Sequence, residues 1–129
     1  MIQIPIYKPN KKLTTQIKFR TPNPTYNPYL AFAVMLAAGL KGIENEYELP
    51  APIEEDIYSM SEKDKKKKKI ITLPGNLYEA ILEVEKSKVV REALGQHTFD
   101  KFVENKKIEW DRYRTHVSQF EIDKYLSIT

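Results

Sequence analysis

The segment from Thr21 to Ile43 constrains the fold more than any other. TPNPTYNP places three prolines within eight residues, and each fixes its own φ while pushing the residue before it toward extended or turn geometry. A rigid, structured turn results. Asn27 then stands at the N-cap position and Pro28 at the first helical position, which predicts a helix through YLAFAVMLAAGLKGI that fades at Gly39 or Gly42. Its apolar residues wrap nearly all the way round, so the helix has to be covered on most faces. The rest of the chain offers few elements to do so, and covering surface from outside the chain is expected.

How few follows from size. At 129 residues and 41% hydrophobic content, the chain suffices for one modest core and is too short for two ordinary domains; residues 1–129 are read as a single unit. Charged residues are 30% of the chain, yet the formal net charge is only +3, so electrostatics alone call for neither nucleic acid nor a membrane surface. There is no cysteine, which excludes disulfides, Cys-based zinc sites and thiol nucleophiles and suits a reducing compartment. The N-terminal MIQIPIYKPNKK lacks the long apolar run of a secretory signal. The longest apolar stretch, near Leu30 to Leu40, is too short to cross a bilayer. A soluble protein of the cytoplasm is expected.

Elsewhere the periodicity supplies an α+β plan. Ile2, Ile4 and Ile6 alternate with Gln3, Pro5 and Tyr7, a short strand that Pro5 confines to an edge or an irregular end. Alternation returns from Leu13 to Arg20, with Gln16, Lys18 and Arg20 on the polar side. A turn around Asn10 would let the two pair as a hairpin within residues 1–20. After the apolar helix at 27–43, residues 44–75 read as loop with a lysine run, KDKKKKK, and one helical turn capped by Ser61. Residues 76–129 read as helical. Asn76 with Glu79 starts a helix carrying Leu77, Ala80, Ile81 and Val84. Ser87 caps another, with Val89, Val90, Ala93 and Leu94, stopped at Gly95. The longest stripe is Phe99, Phe102, Val103, Trp110, Tyr113 and Val117, one face over about five turns. Ser118 and Glu121 have capping-box spacing and open a last short helix with Phe120, Ile122, Tyr125 and Leu126. The expected fold is a two-stranded β piece followed by four to five helices.

Taken together, IPIYKPN, KFRTPNPTYNPYLAFAVMLAAGLKGI, DIYSMSEKD, LPGNLYEAI and WDRYRTHVSQFEIDKYLS resemble the last portion of the catalytic domain of type I glutamine synthetases, over essentially the whole chain. The turn FRTPNPTYNPYLAFA is the most specific of these. The resemblance implies a history in ATP-dependent joining of ammonia to glutamate between Mg2+ or Mn2+ ions. It also exposes departures. The family pattern on the strand before the turn is Arg-x-Glu-x-Arg, the glutamate ligating a metal and the arginines contacting phosphate or substrate carboxylate; here it is Gln16, Ile17, Lys18, Phe19, Arg20. Arg20 alone matches, as a substrate-binding residue. Lys18 occupies the metal-ligand position, and a protonated ammonium has no lone pair to offer a hard cation. Gln3 likewise stands where the family has an arginine before its Ile-Pro. The other metal ligands lie upstream in the family, so no catalytic residue, metal ligand or cofactor is expected of this chain itself.

Other features have plainer readings. His97 and His116 are given no catalytic role. Tyr58, near where some bacterial members carry a nucleotidylated tyrosine, reads as a loop tyrosine because the local motif differs. Lys65 to Lys69 has no interleaved aromatic residues and reads as a solvated loop rather than a nucleic-acid site. The apolar helix and the tail residues Phe120, Ile122, Tyr125 and Leu126 are read as partner contacts. The expected function is a non-catalytic, glutamine-synthetase-like protein that self-associates or docks on a synthetase subunit. Two alternatives stand beside it: one piece of a split or truncated synthetase contributing Arg20, and, more weakly, a basic nucleic-acid binder.

Overall fold

The computed structural model describes residues 2–5 and 16–126. The strand pair is antiparallel, as the alternation predicts: β1 (Ile2–Gln3) pairs with β2 (Lys18–Phe19), Ile2 opposite Phe19 and Gln3 opposite Lys18. The ladder is shorter than the alternating patterns. Pro5 has no N–H to donate, and β1 stops at Gln3 before reaching it. Ile6, Tyr7, Leu13 to Thr15 and the turn at Asn10 lie outside the described residues.

Among the described residues six helices follow: α1 (Pro28–Glu44), α2 (Glu62–Lys67), α3 (Leu77–Lys86), α4 (Lys88–Leu94), α5 (Gln96–Arg114) and α6 (Gln119–Tyr125). The sixth beyond the expected five is α2, the turn capped by Ser61, whose hydroxyl accepts from the Asp64 N–H. The chain divides into two compact units, residues 1–32 and 33–129; α1 begins in the first and continues into the second.

In the first unit the proline-rich turn is held locally. Asn23 Oδ1 accepts from the Thr25 N–H and hydroxyl, both at 3.0 Å, and Asn23 C=O from the Tyr26 N–H at 3.2 Å. Asn27 caps α1 as expected, its Oδ1 accepting from Tyr29 N–H at 3.0 Å. The far end of α1 differs from the expectation. Gly39 and Gly42 are both helical, and the helix runs on to Glu44. It closes with Tyr47 N–H donating to Gly42 C=O at 3.0 Å and Glu46 N–H to Ile43 C=O at 3.1 Å. That is a Schellman arrangement, and its left-handed position, usually glycine, is Glu46 at φ 49°. Removing the Cβ there relieves a conformation that costs a non-glycine residue about 1 kcal/mol. Glu46→Gly is therefore expected to stabilise the last turn of α1 by about that amount, seen as slower amide hydrogen exchange at Asn45 to Tyr47.

The second unit holds the core. α3 and α4 both pack on α5. Ile81, Phe99 and Val103 are buried, with Leu77, Val84, Val90, Leu94, Phe102 and Trp110 packed around them; these are the positions the helical periodicity singles out. Ser87 ends α3 and caps α4, its hydroxyl accepting from Val90 N–H at 3.3 Å. Gly95 divides α4 from α5 at φ 72°, where a side chain would be strained. Asn76 caps α3 through Glu79 N–H at 2.9 Å, and the Glu79 carboxylate accepts from Gly75 N–H at 2.8 Å.

The α5 stripe stops short of its expected length. Thr115 donates its hydroxyl to Asp111 C=O at 2.8 Å and caps the helix, so Val117 lies beyond it, exposed, and Tyr113 is exposed at the helix end. Ser118 then forms the predicted capping box with Glu121, accepting from its N–H at 3.3 Å while Ser118 N–H donates to the Glu121 carboxylate at 2.7 Å. That backbone hydrogen bond, followed by the Ser118 hydroxyl, holds the Glu121 carboxyl below its ordinary range. Phe120, Ile122 and Tyr125 on α6 and its C-cap Leu126 are all exposed.

Candidate functional site

Two of the residues singled out from the sequence, Gln3 and Lys18, meet on the β1–β2 ladder. Neighbouring residues of a strand point to opposite faces, so the cross-strand pair Gln3 and Lys18 shares one face and the pair Ile2 and Phe19 the other. Directly opposed residues hold their Cβ atoms about 5 Å apart. Gln3 and Lys18, which the sequence reading marks as departures from the family pattern, therefore stand side by side. Gln16 and Arg20 lie two residues to either side of Lys18, outside β2. All four are exposed, and among the described residues no carboxylate pairs with Lys18 or Arg20.

This donor set has a definite chemistry. An ammonium and a guanidinium give only hydrogen-bond donors, and the two amides add donors and carbonyl acceptors. Such donors suit an anion. They do not suit a hard divalent cation, which takes carboxylate and other oxygen ligands, and among the described residues no three His, Asp or Glu side chains come together to hold a metal. Lys18 therefore does not offer the carboxylate oxygen that a Mg2+ or Mn2+ ion would take at this position.

The remaining candidates stand apart. His97 lies in the first turn of α5 and His116 beyond the α5 C-cap. Tyr58 is exposed in a turn, its N–H donating to Asp56 Oδ1 at 3.0 Å. Within the lysine run, Lys65 pairs with Glu62 at 2.8 Å, Lys67 with Asp64 at 4.0 Å and Lys68 with Glu55 at 2.6 Å. Three of its five cations thus have local counter-charges, as in a solvated acidic-basic face.

One cluster was not legible in the sequence. The Arg91 guanidinium lies over the Phe99 ring, 4.1 Å from its centroid, and reaches Glu85 C=O at 3.5 Å, Gln96 Oε1 at 3.4 Å and Asp100 at 3.9 Å. It links the end of α3 to α4 and α5. Beside it, Lys107 pairs with Glu85 at 2.7 Å.

A family model for the glutamine synthetase catalytic domain matches residues 1–125. The chain belongs to the glutamine synthetase family. Among curated relatives, the glutamine synthetase of Methanococcus voltae is 49% identical over 114 residues, 88% of this chain and 26% of the relative. That of Thermus thermophilus is 46% identical over 127 residues, covering 98% and 28%, and that of Mycolicibacterium smegmatis is 40% identical over 128 residues, covering 99% and 29%. The chain thus spans between a quarter and three tenths of the synthetases it matches. The α+β arrangement of a two-stranded sheet and helices is that of a segment of this catalytic domain. No helix among the described residues is long and apolar enough to cross a membrane.

Proposed function

We propose that this glutamine synthetase segment is non-catalytic and acts through association, either with copies of itself or with a glutamine synthetase subunit. One observation carries the reading: α1 is 17 residues of almost wholly apolar sequence with none of them buried. Apolar surface on that scale is stabilised by removal from water, and a covering partner provides it. The exposed apolar side chains of α6 support the same reading. Lys18 supports the non-catalytic half, since its ammonium repels a divalent cation at the position where the family resemblance implies a ligand. The cytoplasm is the proposed compartment, on the cysteine-free composition.

A second reading, one piece of a split or truncated synthetase, is favoured by Arg20, whose guanidinium stands exposed and without an ion pair among the described residues. The two readings part in a glutamine-forming assay with glutamate, ammonia, ATP and Mg2+. With the upstream three quarters of the Methanococcus voltae synthetase added, no activity is expected from the chain as it stands. Activity that depends on both pieces would overturn the non-catalytic reading and assign Arg20 to substrate binding.

A further inference from the structure

We draw no further inference here: the strongest candidate, the open groove along α5 lined by Phe99, Val103, Arg91, Asp100, Glu85 and Lys107, has its charged side chains already answered within the fold, Arg91 by Asp100 and Lys107 by Glu85, and nothing in the structure shows what would fill or cover it.

Discussion

Replacing Phe99 with alanine is expected to unfold the helical unit. Among the described residues only Ile81, Phe99 and Val103 are buried hydrophobics, so one ring is a large part of the core. Truncating a buried phenylalanine costs about 3–5 kcal/mol in lost burial and residual cavity. Whole domains are stable by roughly 5–15 kcal/mol, small ones toward the lower end. Phe99 also carries the Arg91 guanidinium on its face, a contact that vanishes with the ring. Far-UV circular dichroism of Phe99→Ala should show most of the α3 to α5 helicity lost at 25 °C, without a cooperative thermal transition. A cooperative melt displaced by only a few degrees would mean that the core extends well beyond these three side chains.

Arg91→Ala is expected to have the next largest effect, about 1–3 kcal/mol. The guanidinium combines a cation–π contact with Phe99, hydrogen bonds to Glu85 C=O and Gln96, and proximity to Asp100. Arg91 is only partly buried, so solvent screens the charge pair, and the stacked stem and ring contact carry most of the stabilisation. Arg91→Lys is expected to recover less than half of the loss, because an ammonium neither stacks nor spans several acceptors at once. Urea midpoints of the three proteins measure this directly. A wild-type midpoint for Arg91→Ala would reduce the cluster to surface decoration.

The elements that sequence reading located are those whose signals are local. Asn27, Ser61, Asn76, Ser87 and Ser118 each act on backbone groups within about three residues, and each stands at a helix end as expected, as does Gly95 through its left-handed backbone. Ile81, Phe99 and Val103 follow from the repeat of three and four alone. The end of α1 was misplaced because glycine is only the usual occupant of a left-handed cap, and Glu46 holds the position here. The α5 helix is shorter than its apolar stripe implies: it ends at Arg114 with Thr115 as its C-cap, while the apolar periodicity continues past that end in Val117.

The site was legible in composition and illegible in geometry. Gln3, Gln16, Lys18 and Arg20 stood out through the family resemblance, one residue at a time. That Gln3 lies directly opposite Lys18 depends on strand register across fifteen residues, which alternation alone leaves open by any shift of two. Arg91 was invisible for a related reason. It meets Phe99 only because Gly95 turns α4 into α5, and no periodic pattern encodes a contact made across such a turn.

The most direct test of association as this segment's role is its molar mass in solution. Light scattering on a size-exclusion column, with the full-length chain alone and then mixed with the Methanococcus voltae synthetase, measures it. A mass at least twice that of the 15.1 kDa chain, or co-elution with the synthetase, is the predicted result. A 15.1 kDa monomer at every concentration, eluting apart from the synthetase, would contradict it.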